Sequence, residues 1–539
     1  MHQNHTGRFT IIPAVRAYVR SNSAIMRTAE NHPPPGGFKS DPRQDYKLTL
    51  ARLSGIRCVR QREFGNNISL LYIRCPRIVE MKNFSYPLLI VAVVLALPVG
   101  QAEDLVGIYQ QALLSDPGIK EAAANRAATL ESVPAARGFL LPQINVDATY
   151  SDDMSKGVRD TTIGGQIVPS AFDNESDGWR WGIQLRQTLF RWDQWVSLKR
   201  ASKQVARAEA DYMAANQDLM VRVSVAYFDV LAAQDTLESE QAAKEAIGRQ
   251  LEQAKKRFEV GLIAITDVQE AQAAYDQAVA TEISAKRSLA TRRESLREII
   301  GTYPAALAGP KQEIPLVSPD PEDENAWVET ALNQNFLVLS SELGAEIAKD
   351  DYRVAKTGHY PTVDLVASHT ETNITGTGTA TNPSTGNETT SPIGTDSNQD
   401  SIQIQFQLPI FSGGTVSAKR REAMYRHRAA QEAFEKTARQ TERETRDAYL
   451  GVTSEISRVK ALKQALKSAE TALRATEAGF QVGTRTTVDV LDQRRKLFIA
   501  DVNYARSRYD YIINVLLLKQ AAGTLSAADL TEVNGWLEK

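Results

Sequence analysis

The 539-residue chain carries 63 Lys and Arg against 65 Asp and Glu, for a formal net charge of −2 at pH 7, and has two cysteines. Residues 1–80 hold thirteen Lys/Arg against five Asp/Glu and both cysteines, so residues 103–539 are thiol-free and near −11. An acidic chain without thiols fits an oxidising compartment outside the cytoplasm and argues against nucleic acid as a partner.

A secretory signal peptide is indicated at residues 81–102. Met81-Lys82-Asn83 is followed by an apolar run over residues 87–99 and by the small-residue pattern Gly100-Gln101-Ala102. The run is too short to span a bilayer, and because no cysteine stands at the cleavage point we expect no lipid anchor. Since a signal peptide begins a protein, we expect residues 1–80 to be an upstream translation artefact, the alternative being an unusual cytoplasmic leader.

The remaining sequence contains a duplicated unit. Aligned with itself at offsets of about 219 to 222 residues, the chain shows matching features in the same order, among them Phe190 with Phe411. We predict the following organisation: a first repeat at 103–301, a linker at 302–324, a second repeat at 325–523 and a C-terminal segment at 524–539.

Each repeat is predicted to contain two β-strands, at residues 143–151 and 179–190 in the first and at 361–370 and 401–411 in the second. Apolar and polar residues alternate along them, most clearly in the last strand. Such alternation is typical of a half-buried soluble sheet and equally of transmembrane strands. The exported context and the aromatic residues gathered near the strand ends favour the transmembrane alternative.

The segments between paired strands, 152–178 and 371–399, are polar and are predicted to be solvated loops on the cell exterior. Four strands cannot close a barrel by themselves, and open strand edges are not tolerated in lipid. If these strands span a membrane, several chains must therefore pool them, and three chains would supply twelve strands, an even number within the usual range.

Long helical hairpins are predicted at residues 193–301 and 413–523. Proline is absent from Asp193 to Phe258, and a helix of that length would extend roughly 100 Å at about 1.5 Å per residue. Because a lone amphipathic helix of this size is not stable in water, packed coils are implied.

Each hairpin has a glycine turn at its tip, Gly261 in the first and Gly483 in the second. The helix after the second tip begins with Asp489 and Asp492, whose i, i+3 spacing places both carboxylates on one face. One interpretation is that they are ordinary first-turn partners of the helix dipole. The other is that three chains place them around one axis, where they would repel anions and attract cations.

From Glu103 to about Leu530 the sequence resembles the TolC family of outer-membrane channel proteins. The motifs that carry this resemblance are Val260-Gly261-Leu262-Ile263-Ala264-Ile265-Thr266-Asp267-Val268, Leu408-Pro409-Ile410-Phe411-Ser412-Gly413-Gly414, Val482-Gly483-Thr484-Arg485-Thr486 and Asp489-Val490-Leu491-Asp492. The implied fold is a mixed α and β membrane protein. Its twelve-stranded trimeric β-barrel lies in the outer membrane and continues as an α-helical tunnel into the periplasm.

The resemblance also implies roles for residues at the tips. Asp489 and Asp492 correspond to the constriction ring of the gate. Thr266, Asp267 and Arg485 correspond to positions whose hydrogen bonds and ion pairs hold the tips shut.

Periplasmic adaptor proteins touch the positions of Gly261, Leu262 and Gly483 in the family. Phe480 stands where the TolC pattern has a latch tyrosine. A phenyl ring cannot donate the hydroxyl hydrogen bond, so we expect a latch weaker by about 1 kcal/mol per chain.

The implied function is a passive exit duct for tripartite multidrug efflux pumps and type I protein secretion. Its expected partners are a homotrimer, periplasmic adaptor (membrane fusion) proteins, inner-membrane efflux transporters or ABC exporters, and outer-membrane lipid, with no cofactor, metal or nucleic acid.

Catalysis is not expected, because residues 103–539 contain only three widely spaced histidines and no phosphate-binding glycine loop or metal-ligand cluster. The alternative function is a structural or adhesive trimeric coiled-coil protein of the envelope.

Overall fold

The computed structural model describes residues 103–163, 165–311, 313–382 and 385–538. The expectations for residues 1–80 and for the signal peptide at 81–102 lie outside these residues. Within them, no helix is both long and apolar enough to cross a membrane.

The same order of elements occurs twice along the chain. The first half contains α1 (Leu105–Ser115), α2 (Pro117–Leu130), α3 (Ser132–Gly138), β1 (Gln143–Ile163), β2 (Gln166–Phe190), α4 (Trp192–Glu259) and α5 (Ile265–Ile300). The second half contains α6 (Glu324–Gln334), α7 (Phe336–Lys356), a 3-10 turn (Thr357–His359), β3 (Thr362–Thr381), β4 (Glu388–Gln407), α8 (Thr415–Gln481), α9 (Thr487–Ala521) and α10 (Ala527–Asn534).

The four strands form one antiparallel sheet in the order β1-β2-β3-β4, so β1 and β4 are its two edges. One face is apolar near the helices: the register aligns Ile144, Leu185, Ala367 and Ile402 across the four strands. The opposite face is polar, with Asn145, Gln184, Ser368 and Ser401 in the neighbouring row. Much of the apolar face is uncovered in a single chain, since Ile402 is 80% exposed.

The strands are longer than the sequence predicts. Most of the predicted loops 152–178 and 371–399 is paired strand, and what remains are turns at Gly165 and Gly386, with φ of +86° and +74°. Polar side chains predominate on both faces of these extensions despite apolar residues such as Met154, Val158 and Ile167, so no regular alternation marks them, although Thr-rich backbone pairs well.

The fourth strand also differs from the prediction at its other end. It stops at Gln407 and not at residue 411. Pro409 has no N–H to donate to a ladder, so the strand ends before it.

The main hydrophobic core lies around the middle of α4 and the C-terminal half of α9, where α1, α5, α8 and α10 also contribute side chains. Its fully buried side chains include Leu105, Ile108, Val223, Phe228, Ile512, Leu516 and Leu530. The buried Tyr227 hydroxyl donates to the Ala308 carbonyl at 2.7 Å, and the Tyr509 hydroxyl donates to Asp235 at 2.6 Å. These bonds tie the middle of α4 to the inter-repeat segment and to α9, at the level where the shorter helices α5 and α9 end.

The helical hairpins extend away from the sheet. α4 and α8 have 68 and 67 residues, which corresponds to about 100 Å each at about 1.5 Å per residue. Gly301 follows α5 at the end of the first hairpin, and Gly523 follows α9 at the end of the second. Both glycines have positive φ. The strand turns lie at one end of the paired strands, and the helices continue from the other end.

An epitope inserted at Gly386 should be labelled by an impermeant antibody on intact cells. Gly386 lies in the β3–β4 turn with open space where a side chain would project, so an insertion disturbs no packing. The matched control is the same epitope at the exposed Glu322 of the inter-repeat segment. The control should be labelled only after permeabilisation. The reverse result would mean that the strand turns face the periplasm and not the cell exterior.

Candidate functional site: the helix tips

Both hairpins turn in the same way at their tips. Gly261 follows α4 with φ of +75°, and Gly483 follows α8 with φ of +80°. In each turn two backbone N–H groups donate to carbonyls of the last helical turn, at 2.9 to 3.2 Å. The left-handed glycine lets the carbonyls at the helix end be satisfied within three residues, so each tip is narrow.

The helix after the second tip starts with a capping box. The Asp489 N–H donates to the Thr486 hydroxyl oxygen at 3.2 Å, and the Thr486 N–H donates to Asp489 Oδ2 at 2.9 Å. The backbone hydrogen bond from Thr486 lowers the pKa of Asp489, with the Thr486 hydroxyl adding to the effect. Asp489 thus has the ordinary helix-start role.

The second oxygen of Asp489 remains available. Asp489 Oδ1 accepts no hydrogen bond within the part of the chain that the structure describes. The capping role and a role in the gate therefore do not exclude each other, since they use different oxygens of one carboxylate.

Asp492 has a different environment, because both of its oxygens are paired with cations one turn further along α9. Its Oδ1 lies 2.9 Å from Arg495 Nη2 and its Oδ2 lies 2.6 Å from Lys496 Nζ. The hydrogen bond from Lys496 is the main reason why the pKa of Asp492 is lowered, so this carboxylate is charged at neutral pH.

Phe480 is linked to the first hairpin. The Arg257 guanidinium of α4 lies over its ring, 4.5 Å from the centroid. A cation over an aromatic face is worth about 0.5 to 1 kcal/mol at an exposed site. This contact joins the last turn of α4 to the last turn of α8.

Two further contacts hold α9 against the first hairpin. Leu491 packs on the small tip cluster of Leu251, Ala254, Val268 and Ala271. Arg494 donates to the Ala246 carbonyl of α4 at 3.2 Å and forms an ion pair with Glu477 of α8. One guanidinium therefore joins three helices close to the tips.

The predicted latch residues on the first tip are not joined to the second tip within one chain. Among the described residues, the side chains of Thr266, Asp267 and Arg485 make no hydrogen bond or ion pair with one another. Arg485 is exposed and lies near Asp489, whose pKa it lowers as a weaker influence than the Thr486 bonds. These groups are left open to contacts with another chain.

The three predicted adaptor-contact residues lie on the exposed tips. Gly261 and Gly483 occupy the two turns, and Leu262 is 72% exposed. The flanking Val260 and Val482 are 69% and 76% exposed. Both tips thus present apolar side chains to solvent.

Sequence reasoning missed Arg257, Arg494, Arg495 and Lys496. The i+3 and i+4 spacing of Arg495 and Lys496 from Asp492 would have indicated their ion pairs. The contacts of Arg257 and Arg494 join residues far apart in sequence, and nothing in one helix alone predicts them.

The described residues contain no group of three or more His, Cys, Asp or Glu side chains arranged to hold a metal ion. The tips instead combine fixed charges, exposed apolar residues and links between helices. Such a site is suited to ion filtering and protein docking.

A four-stranded sheet with an apolar face, continued by two hairpins of this length, defines the class of outer-membrane channel proteins with a helical tunnel. The crystal structure of the outer membrane protein VceC from Vibrio cholerae matches with a TM-score of 0.60 at 18% identity, covering 78% of this chain and 96% of that one.

The sequence matches the outer membrane efflux protein family over residues 108–302 and 327–524. It is 39% identical to the outer membrane protein TolC of Vibrio cholerae over 81% of this chain and 94% of that protein. It is 28% identical to the alkaline protease secretion protein AprF of Pseudomonas aeruginosa over 80% of this chain and 86% of that protein. The chain belongs to the outer membrane efflux protein family and is an outer-membrane protein.

The link between Arg257 and Phe480 can be tested by Phe480→Leu and Arg257→Gln. Either change removes the cation–π contact between the hairpins, so the tips should separate more readily and resting conductance in planar bilayers should rise. The double variant should conduct like either single variant, because both remove the same contact.

Phe480→Tyr keeps the aromatic face and should stay at or below the parent conductance. Arg249→Gln, which changes an exposed arginine paired to Glu245 on α4, is the matched control. Additive effects of the two single changes would show that Arg257 and Phe480 act independently.

Proposed function

We propose that this protein is a passive outer-membrane exit duct, built from three chains, through which efflux pumps and a type I secretion system export their cargo. The observation that carries the proposal is the four-stranded sheet with two open edges, continuous with helical hairpins of about 100 Å. The names of the relatives, which refer to outer-membrane efflux and to protease secretion, support both kinds of cargo.

The open edges supply the reason for a trimer. Backbone N–H and C=O groups on the outer sides of β1 and β4 need partners in lipid, where no water is available. Pairing β4 of one chain with β1 of the next would satisfy them and close twelve strands into a barrel. The apolar row from Ile144 to Ile402 would then face lipid, and the polar row from Asn145 to Ser401 would face the lumen.

The tips form the gate in this proposal. Three copies of Asp489 and Asp492 form the constriction, and Thr266, Asp267, Phe480 and Arg485 form the latch. The exposed Arg485 and the half-buried Asp267 support contacts between neighbouring chains. Movement of α8 and α9 away from α4 and α5 would open the tunnel like an iris.

Periplasmic adaptor proteins are the proposed partners of Gly261, Leu262 and Gly483. Exposed apolar side chains on a narrow helical tip suit docking of a partner helical hairpin. Since no catalytic site is proposed for the chain, energy for transport comes from inner-membrane efflux transporters or ABC exporters.

Purified protein beginning at Glu103 should be a trimer in detergent that changes electrophoretic mobility on heating. The expected result follows from strand pairing between chains, which heat disrupts. Light scattering in detergent and mobility before and after boiling would measure it. A monodisperse monomer in the soluble periplasmic fraction would overturn the proposal.

The double change Asp489→Ala with Asp492→Ala should lower cation selectivity and abolish block by a trivalent cation applied from the periplasmic side. Negative charges in a confined pore focus a potential that attracts multivalent cations. Single-channel recordings with hexamminecobalt(III) measure both effects. Changing Glu245 and Glu252, two exposed acids of α4, to alanine is the control.

Unchanged block in the aspartate variant would place the constriction elsewhere along the tunnel. Loss of block in the control as well would mean that trivalent cations respond to the overall charge of the tips and not to the ring.

A further inference from the structure

The acidic face of α9 continues directly into a basic one. Asp489, Asp492 and Lys496 are spaced i, i+3 and i+7, which places them in one row along the helix. Arg495 flanks this row. Both cations contact Asp492, at 2.9 Å for Arg495 and 2.6 Å for Lys496.

These two cations are not part of the packing between helices. The Arg495 and Lys496 side chains are 71% and 56% exposed, whereas the adjacent Arg494 is 20% exposed and bonds to α4 and α8. The same basic run therefore has two uses. Arg494 holds the hairpins together, and Arg495 and Lys496 project with Asp492 from the open face of the helix.

We propose that Arg495 and Lys496 are specificity-determining residues that form a basic ring immediately inside the acidic ring of the tunnel entrance. The inference rests on the proposed function, because it requires that three chains turn this face of α9 towards a common lumen. The charges of the two acids, Asp489 and Asp492, and of the two bases, Arg495 and Lys496, then sum to zero within about two helical turns of each chain.

This balance of acidic and basic side chains changes which solutes the entrance favours. Asp492 is paired with its two cations, whereas Asp489 keeps an open Oδ1 beside the exposed Arg485, so Asp489 is the more accessible negative charge of the two. Anionic groups that pass this ring meet guanidinium and ammonium groups about one turn further in, which offset the repulsion. The entrance is thus suited to solutes with anionic or zwitterionic groups as well as to cations.

The first test neutralises the basic ring with Arg495→Gln and Lys496→Gln. Reversal potentials across a KCl gradient should shift towards stronger cation selectivity. The concentration of hexamminecobalt(III) giving half block should fall by about tenfold or more, the scale on which focused fields change local counter-ion concentration.

Two variants serve as controls. Arg249→Gln with Lys255→Gln removes one arginine and one lysine that are paired with acids on the exposed surface of α4, and it should leave selectivity unchanged. The swap Arg495→Lys with Lys496→Arg keeps the charges and should retain the parent selectivity.

A second test begins with a variant that contains no glutamine substitution. With the acids removed by Asp489→Ala and Asp492→Ala, the uncompensated basic ring should turn the channel anion-selective, not merely unselective. Adding Arg495→Gln and Lys496→Gln to that variant should abolish the anion preference.

The outcomes separate the inference from the proposed function. A parent protein that inserts as a trimer and conducts no ions would overturn the proposed duct. A conducting parent whose selectivity does not respond to loss of Arg495 and Lys496, or whose aspartate variant shows no anion preference, would overturn the basic ring and leave the duct standing.

Discussion

The need to pair every backbone polar group in lipid is the constraint on which the rest of the structure depends. A sheet of four strands leaves the outer sides of β1 and β4 open, and the part of the chain that the structure describes offers no further strand to cover them. Other chains must supply the partners if the sheet lies in a membrane. Pairing between chains also fixes the position of the helices, because β2 and β4 lead into α4 and α8 after only a few residues. The geometry of the sheet therefore determines where α4 and α8 begin.

The tips lie at the other end of about 100 Å of helix, so small changes in helix packing become large displacements there. The core around Tyr227, Phe228 and Tyr509 anchors the hairpins halfway along α4, where the shorter helices α5 and α9 end. Close to the tips the hydrophobic cluster is smaller, and the contacts between hairpins there include Leu491 on that cluster, Arg494 on a carbonyl, and Arg257 over Phe480. Each is worth at most a few kcal/mol. Such a distribution favours a structure that is fixed midway along α4 and movable at its tips.

Sequence patterns predicted the elements well where a period or a special residue marks them. The long helices followed from the absence of proline, the tip turns from Gly261 and Gly483, and the apolar row of the sheet from alternation. The patterns failed where apolar and polar residues do not alternate. The outer halves of the strands are mostly polar on both faces, yet their backbones still pair. Strand ends also depend on local chemistry such as Pro409, which fixes the end of β4 more sharply than hydrophobicity does.

The tip shows why a motif does not determine its own electrostatics. Asp489 and Asp492 lie on the same face of α9 and are both half-buried. Asp489 is nevertheless held by a capping box, whereas Asp492 is held by two cations. The capping bonds leave an oxygen of Asp489 unoccupied, whereas Arg495 and Lys496 occupy both oxygens of Asp492. Two equivalent acids in the sequence are therefore unequal as ion ligands. Since the four residues after Asp492 decide this difference, the proposed entrance would owe its selectivity to the helix turn behind the acidic motif as much as to the motif itself.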